Sequence, residues 1–346
     1  MKITRTKHIT IQSMTTTRTS DILATTAQIN RLENIGCEII RVAVPDIESA
    51  NAITKIKENI NIPLVADIHF DHKLALRSTE AGADKIRINP GNIGTPENVK
   101  EIADACNKKN IPIRIGINSG SLEKEILKKH NGITPEAMVE SALNNVKLLN
   151  RYDFDNIWLS AKTSNVRLTV DTYRLLHEQT KYPLHLGITE AGTEYNGVIK
   201  SSIGIGTLLL EGIGDTIRVS LTAEPEREIE AAKAILKALG LRSGIDIISC
   251  PTCGRCNIDV IKITNEVENR LSRLSLETGP VENEKPLTIA VMGCAVNGPG
   301  EARQADFGIA GGNGEGVIFA KGEIIGKFPM NDLVNESIKL ITEKNN

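Results

Sequence analysis

Short β-rich runs alternate with longer amphipathic segments from about residue 10 to residue 240. The runs are TIQSM (10–14), EIIRVAV (38–44), PLVADI (63–68), KIRIN (85–89), PIRIGIN (112–118), NIWLSAK (156–162), PLHLGIT (183–189) and TIRVSL (216–221). Each run is followed by a segment with helical spacing, such as TPENVKEIADACNKKN. Eight such units in series are the number that a (β/α)8 barrel requires, so the sequence predicts an α/β fold of the TIM-barrel type.

The alternative is an open, doubly wound sheet. That fold usually carries a Gly-rich fingerprint after its first strand, and none follows TIQSM. Eight units in series also suit a closed barrel better than an open sheet. We therefore expect the barrel.

The pattern changes after residue 240. A strand, IDIIS, leads into the loop CPTCGRC, a helix from about 258 to 274 and the polar linker TGPVENEKP. A strand LTIAVMG, several short strands punctuated by glycine and a final helix near 331–343 follow. We predict a TIM barrel in residues 1–240 and a small α+β domain in residues 241–346, which a chain of 346 residues can accommodate.

Composition excludes some classes of function. The net charge is −2 and the basic residues are scattered, so no surface for a nucleic-acid backbone is indicated. The start, MKITRTKHITIQSM, has no apolar segment behind its basic residues, and no apolar run approaches the roughly 18 residues that a membrane span needs. We expect a soluble, cytoplasmic protein.

Polar and cationic side chains gather at the ends of the predicted strands, where TIM barrels carry their active sites. Arginine forks match phosphate oxygens two at a time, and several cations at one mouth repel each other unless an anion is bound. The pattern favours a diphosphate substrate; the alternative, arginines paired with carboxylates, has only Asp67 and Glu190 available. The strand-end residues are Gln12, Ser13, Arg41, Asp67, His69, Arg87, Asn89, Arg114, Asn118, Lys162, His185, Glu190, Arg218 and Ser220.

Three of these residues are candidates for acid–base chemistry. Glu190, in the segment TEAG, is a possible general acid–base or hydroxyl anchor, and equally a loop carboxylate that orients an arginine. His69 and His185 are weaker candidates, because a lone histidine at a strand end is more often a hydrogen-bonded structural group.

Four of the six cysteines, Cys250, Cys253, Cys256 and Cys294, lie in the last third of the chain. In a reducing compartment this clustering favours metal or redox chemistry over disulfides, and both zinc and an iron–sulfur cluster fit. A Cys/His zinc finger is excluded, since no histidine follows residue 185. Two arrangements remain: three thiolates with a weaker ligand such as Glu301, or four thiolates including Cys256.

The motifs CPTCGR (250–255) and GCAVNGPGE (293–301) resemble those of bacterial 4-hydroxy-3-methylbut-2-enyl diphosphate synthases. Along the predicted barrel, IQSMTTTRT, RVAVP, VADIHFD, RINPGNIG, PIRIGINSGSLE, LHLGITEAG and EGIGDTIRVSL resemble segments of the same family in the same order. The resemblance therefore covers nearly the whole chain.

The resemblance implies a 4Fe–4S cluster held by Cys250, Cys253, Cys294 and Glu301. Cys256 departs from the family's pattern, and we interpret it as a residue that does not bind the cluster. Glu301 is also assigned a catalytic role, because a carboxylate is a more exchangeable iron ligand than a thiolate.

The implied reaction is the reductive ring opening and dehydroxylation of 2-C-methyl-D-erythritol 2,4-cyclodiphosphate, with two electrons passed through the cluster, in isoprenoid precursor biosynthesis. We assign protonation of the leaving hydroxyl to Glu190 first and to His185 second. The substrate-binding assignments are Arg41, Arg87, Arg114, Asn118, Lys162, Arg218 and Ser220.

The family also implies partners: reduced flavodoxin or ferredoxin as electron donor, and a head-to-tail homodimer in which one chain's cluster domain caps the other chain's barrel. Two rival interpretations are a zinc-stabilised barrel that acts on a phosphorylated substrate without redox chemistry, and an iron–sulfur electron carrier or sensor.

Overall fold

Eight parallel strands lie side by side in one sheet, in the order β6-β5-β4-β3-β2-β1-β8-β7. A parallel bridge between Leu159 and Leu184 joins the two outer strands, so the sheet closes into the predicted barrel. The strands are β1 (Thr10–Met14), β2 (Ile39–Ala43), β3 (Leu64–Asp67), β4 (Lys85–Ile88), β5 (Ile113–Asn118), β6 (Ile157–Lys162), β7 (His185–Leu186) and β8 (Thr216–Ile217).

This computed structural model describes residues 8–89, 92–278, 287–294, 302–312 and 314–345. The chain divides into two compact units, Met1–Leu239 and Gly240–Asn346. Each unit has its own hydrophobic core.

Helices follow the barrel strands, and several begin at side-chain caps that the sequence makes evident. Thr95 and Thr134 each accept a backbone N–H and are each followed by a proline in the first helical turn, where its missing N–H costs nothing. The helices are α1 (Ile22–Asn34), α2 (Ile47–Lys57), α3 (His72–Glu80), α4 (Pro96–Lys109), α5 (Lys124–Lys129), α6 (Pro135–Asn150), α7 (Val166–Gln179), α8 (Glu194–Leu210) and α9 (Pro225–Ala238).

Most residues of the barrel strands are buried, as in parallel strands that helices cover on the outside. Every residue of β3 and β4 is buried. Outward-facing Ile86 and Ile113 contribute to the core beneath the helices, whereas polar side chains on the same strands fill the barrel interior. Buried polar groups cost free energy unless they are hydrogen-bonded or paired with an opposite charge. The polar side chains of the barrel interior are therefore the candidates for binding and catalysis in this unit.

The second unit is built on a five-stranded mixed sheet with the order β13-β12-β11-β10-β9. β9, β10 and β11 run parallel, and β12 and β13 continue the sheet antiparallel. Its elements are β9 (Ile245–Ser249), α10 (Val260–Thr278), β10 (Leu287–Met292), β11 (Phe307–Gly311), β12 (Glu315–Ala320), β13 (Glu323–Pro329) and α11 (Leu333–Asn345).

Two helices cover this sheet. α10 packs against β9 and β10, and α11 packs against β11, β12 and α10. Val267 and Leu333 are fully buried in the core between helices and sheet. The α+β class predicted for this part of the chain is confirmed; most of the predicted linker, residues 279–286, lies outside the described residues.

Among the described residues, no helix combines the length and the apolar character that crossing a bilayer requires.

Candidate active site

Asp67, the last residue of β3, organises two arginines at the barrel mouth. Arg87 Nη1 donates to Asp67 Oδ1 at 2.9 Å, and Arg41 Nε lies 3.6 Å from Asp67 Oδ2. Arg87 Nη1 also lies 2.9 Å from His69 Nε2, which accepts because a guanidinium has only donors. The structure therefore brings together three residues from neighbouring strands and His69, which follows β3.

Burial and charge act in opposite directions on these groups. Burial by itself raises the pKa of Asp67, but the charges of Arg41 and Arg87 oppose it, and that pKa lies well below its usual range. Burial lowers the pKa of Arg41 to about 10, and Asp67 offsets only part of that effect. Asp67 is thus a fixed anion in a region dominated by cations.

Arg114 lies deeper in the barrel and has no carboxylate partner among the described residues. Its side chain is 1% exposed, and Nη1 donates to Gln12 Oε1 at 2.9 Å. Burial, with Arg41 and Arg87 nearby, lowers the pKa of Arg114 well below its ordinary value. Within the described chain, Arg114 Nε and Gln12 Nε2 are buried donors with no protein acceptor.

Lys162, the last residue of β6, points into the same cationic region. Its pKa is lowered by burial first and then by Arg114, Arg218, Arg41 and Arg87. Gly187 on the neighbouring chain segment leaves room for it, because a Cβ there would lie 2.6 Å from Lys162 Nζ.

His185 is buried in β7 as a neutral imidazole. Its Nδ1 lies 2.7 Å from Thr216 Oγ1, and its Nε2 has no hydrogen-bond partner among the described residues. Burial lowers the pKa of His185, and Lys162, Arg114 and Arg41 add to the effect. The histidine is available to exchange a proton at Nε2 but does not carry a charge at neutral pH.

Arg218 is held by a carboxylate that the sequence analysis did not identify. Arg218 Nη2 lies 3.2 Å from Oε1 and 3.4 Å from Oε2 of Glu228 in α9. The helical pattern does indicate that Glu228 is buried, because it lies on the same core-facing side of the helix as Ile229 and Ile235. Arg218 Nε is buried and lacks an acceptor in the described part of the chain.

Glu190 stands at the rim of the same region. It is exposed and has a left-handed backbone (φ 51°), which is uncommon for a residue with a side chain. It lines a cavity of about 220 Å³ together with Arg218, Ser220 and Glu228. The carboxylate that contacts an arginine here is Glu228, and Glu190 borders the open space beside it.

Two asparagines occupy the ends of β4 and β5. Asn118 is in register with Lys162 across β5 and β6. Ser121 Oγ accepts from the backbone N–H of Asn118 at 3.3 Å and from Asn89 Nδ2 at 3.2 Å. A short 3-10 turn, Ser119–Ser121, thus ties the two strand ends together.

Lys85 is a buried lysine deeper in the barrel that the sequence analysis did not single out. Lys85 begins β4 and faces the interior like Arg87, two residues further on. Its Nζ lies 3.5 Å from the centroid of the Trp158 ring, and burial, assisted by Arg114, lowers the pKa of Lys85 to about 7. The alternation K-I-R-I (85–88) does indicate that Lys85 faces the same side of the strand as Arg87.

In the second unit, adjacent parallel strands bring the cysteine segments together. Ser249 of β9 is in register with Val291 of β10, so Cys250 and Cys294 follow neighbouring strand ends. Gly293 N donates to Cys250 Sγ at 3.1 Å. Cys250 also lines a cavity of about 340 Å³ with Thr252 and Thr264.

Cys253 and Cys256 close a turn. Cys256 N donates to Cys253 O at 3.0 Å, and Cys253 N donates to Cys256 Sγ at 3.4 Å. The N–H of Arg255 and its charge lower the pKa of Cys253. A Cβ on Gly293 would lie 2.6 Å from Cys256 Sγ, so Cys256 also borders the Cys294 segment, and its assignment as a non-ligand stays a prediction.

Thiols from two neighbouring strand ends are the donors that an iron–sulfur cluster takes, so the residues fit that cofactor. Across the described residues, no three His, Cys, Asp or Glu side chains converge closely enough to bind one metal ion. Glu301, the predicted fourth ligand, lies outside the described residues.

Cys37 and Cys106 belong to the barrel core. Both are buried, and burial raises the pKa of each thiol to about 12. They are packing residues, as small buried side chains in a barrel commonly are.

Comparisons with known proteins cover both units. Residues 1–233 match the family description "GcpE TIM-barrel domain", and residues 246–343 match "GcpE protein C-terminal domain". A 4-hydroxy-3-methylbut-2-en-1-yl diphosphate synthase (flavodoxin) from Caldicellulosiruptor saccharolyticus is 61% identical over 333 residues, which cover 96% of this chain and 93% of that protein. The protein of the same name from Clostridium perfringens is 58% identical over 334 residues, 96% of this chain and 93% of the relative.

Proposed function

Because this chain belongs to the GcpE family through both of its domains, we propose that it has the activity named for its relatives, that of 4-hydroxy-3-methylbut-2-en-1-yl diphosphate synthase with flavodoxin as electron donor. The substrate is the cyclic diphosphate expected from the sequence resemblance. The barrel, residues 1–240, binds this substrate, and residues 241–346 hold the cluster.

One observation carries the binding assignment: buried donors inside the barrel and near its mouth lack protein acceptors. Arg114 Nε, Arg218 Nε and Gln12 Nε2 have none within the described chain. Buried donors without acceptors are rare and costly, so a ligand rich in acceptor oxygens is the natural partner. A diphosphate supplies those oxygens and also offsets the repulsion among the cations.

The side chains of the barrel have separate roles in binding this substrate. Arg41, Arg87, Arg114, Lys162 and Arg218 bind and orient the two phosphates, with Asn118 and Ser220 as neutral donors at the rim. An anion favours the charged form of Lys162, so substrate binding opposes the lowering of its pKa by burial and by the neighbouring cations. The fixed donors are in place before the C–O bond breaks, which is the arrangement that stabilises developing negative charge most effectively.

We assign the proton for the leaving hydroxyl to Glu190, which borders the open cavity beside Arg218. His185 is the second choice, because its Nε2 is free of partners in the described chain but the ring is neutral. Glu190 is exposed at the rim of the site.

The cluster ligands that we propose are Cys250, Cys253, Cys294 and Glu301, with Cys256 outside the set. When bound, a 4Fe–4S cluster supplies electrons one at a time. Reduced flavodoxin is the proposed source of those electrons, with ferredoxin as the alternative donor, and a head-to-tail homodimer is the proposed assembly.

Anaerobic purification followed by a turnover assay tests this function. We expect a brown protein that consumes the cyclic diphosphate when reduced flavodoxin is supplied. A colourless protein containing zinc would support the non-redox rival, and a brown protein that leaves the substrate intact would support the electron carrier.

Two matched serine variants test the ligand assignment in the same preparation. Cys294→Ser should lose iron and activity, whereas Cys256→Ser should keep both, since only the first removes a proposed ligand. Loss of iron from both variants would instead indicate a cluster with four cysteine ligands.

A further inference from the structure

Glu228 is a buried carboxylate that connects three parts of the barrel. It lies in the first turns of α9 and is 5% exposed. Its Oε2 accepts from Ser13 Oγ at 3.1 Å, and its Oε1 accepts from Leu221 N at 3.1 Å. With the contact to Arg218 described above, Glu228 joins the end of β1, the segment after β8 and α9.

These contacts restrict Arg218 to one orientation. Ser13 and Leu221 fix the carboxylate of Glu228. Arg218 Nη2 donates to both oxygens of that carboxylate, at 3.2 and 3.4 Å. The guanidinium is planar, so holding Nη2 also sets the direction of Nε–H. That donor is buried and has no acceptor in the described chain, and Arg218, Glu228 and Ser220 line the same cavity.

We infer that Glu228 is a positioning residue, which directs the Nε–H of Arg218 toward the substrate's phosphate. The inference rests on the proposed function. Glu228 itself does not contact the substrate, because its oxygens already accept hydrogen bonds from three groups of the protein and would repel an anion.

Two effects of Glu228 on an anionic substrate have opposite signs, and this makes the inference testable. As a charge alone, Glu228 repels a diphosphate, so its neutralisation would strengthen binding. As a positioning residue, its neutralisation releases Arg218 and weakens binding and turnover. A small displacement of an orienting group costs as much as about 100-fold in rate, so the second effect should prevail.

Steady-state kinetics with the cyclic diphosphate and reduced flavodoxin provide the test. For Glu228→Gln, which keeps the shape of the side chain, we expect kcat/KM to fall about 10- to 100-fold, with a higher KM. The control is Glu226→Gln, because Glu226 lies in the same helical turn but pairs with Arg31 at 3.7 Å. The kcat/KM of this control variant should remain near the wild-type value. An unchanged or lower KM in Glu228→Gln would overturn the inference.

A double-mutant cycle separates positioning from a structural role. In an Arg218→Met background, Glu228→Gln should have little further effect, because the group through which it acts is absent. A merely structural carboxylate would reduce activity equally in both backgrounds, which would contradict the inference.

Ser13→Ala provides a second variant in case Glu228→Gln fails to fold. It removes one hydrogen bond to Glu228 and keeps the charge, so a smaller loss in the same direction, about two- to fivefold, is expected. Thermal unfolding and iron content of each variant verify that the protein compared is folded and loaded.

The wild-type protein distinguishes the two possible failures. A wild type that leaves the substrate unchanged refutes the proposed function and this inference with it. A wild type that turns over, with Glu228→Gln and Ser13→Ala both equal to Glu226→Gln, refutes the inference alone.

Discussion

Arg114 and Arg87 are both buried arginines of one barrel, but they differ in what holds them. Arg87 donates to Asp67 at 2.9 Å, so each charge compensates the other. Arg114 donates to the neutral amide oxygen of Gln12, and the charges that most affect it are cations. We therefore expect Arg114 to destabilise the free protein and to bind the substrate, and we expect Arg87 to stabilise the fold as well.

Replacing each arginine by methionine should separate these roles. Arg114→Met is expected to leave the free energy of unfolding unchanged or to raise it by about 1 kcal/mol, because an uncompensated buried charge is removed. Arg87→Met should lower it by about 3 kcal/mol, since Asp67 then stays buried without its closest partner. Both should lose at least about 100-fold in kcat/KM.

Urea unfolding and the turnover assay on the same samples measure both effects. If Arg114→Met proved as destabilising as Arg87→Met, Arg114 would be part of the folding core rather than a group held ready for an anion.

Lys85 makes stability depend on pH. Its pKa in the folded protein is about 7, against an ordinary value of 10.5. Between these values the unfolded chain binds more protons than the folded one, so the free energy of unfolding rises with pH over that range. Lys85→Met removes this contribution.

The measurement is the difference in the free energy of unfolding between wild type and Lys85→Met at pH 7.5 and pH 9. As the pH rises, we expect the free energy of unfolding of the wild type to increase relative to that of the variant by up to about 1.4 kcal/mol per pH unit. Lys73→Met, at an exposed position, should follow the wild type. Parallel pH profiles for wild type and Lys85→Met would show that the buried amine is not neutral in the folded state.

At the scale of single elements, neighbouring strands constrain each other through side chains that cross between them. β5 has glycine at position 116 because the Arg87 side chain of β4 lies across it: a Cβ on Gly116 would lie 2.5 Å from Arg87 Nε. Gly187 accommodates Lys162 in a similar way. We therefore expect the glycines in these strand segments to make room for the side chains of the proposed binding site.

Gly116→Ala should displace Arg87 from Asp67 without adding or removing a charge. We expect kcat/KM to fall about 10-fold or more, since an orienting group moves by a fraction of an ångström to an ångström. Gly206→Ala is the control, because a Cβ there meets nothing within 4 Å. Normal turnover by Gly116→Ala would mean that Arg87 can shift without consequence for the substrate.

At the scale of the whole molecule, the proposed activity depends on the cations of the barrel and on the thiols of the sheet domain. In the head-to-tail homodimer that we propose, each active site takes its cations from one chain and its thiols from the other. In that arrangement, a dimer of an Arg114→Met chain and a Cys294→Ser chain contains one site with both defects and one site with neither.

Mixing these two inactive variants should restore activity to about a quarter of the wild-type value, because half of the dimers are mixed and each mixed dimer has one intact site. Differently tagged chains, purified through both tags, isolate the mixed dimers. Absence of recovery in such dimers would place each site within a single chain.

The strand-end residues show how far the sequence alone could predict the site. The eight-fold alternation predicted the barrel, and the barrel predicts that Arg41, Asp67 and Arg87 meet at one mouth, as they do. The sequence did not reveal that Glu228 holds Arg218, or that Lys85 stacks on Trp158. The helical pattern around Glu228 and the K-I-R-I alternation indicate that both side chains face inward, but they do not indicate which residues those side chains contact.

What the sequence determined by itself was the periodic alternation of buried and exposed positions, and with it the strands, the helices and the clustering of cysteines. Tertiary structure decided which buried charges have partners. Ser13 and Glu228 are 215 positions apart, and Gln12 and Arg114 are 102 apart. Periodicity is a property of neighbouring residues, whereas the compensation of a buried charge depends on which distant strand the closing barrel brings beside it.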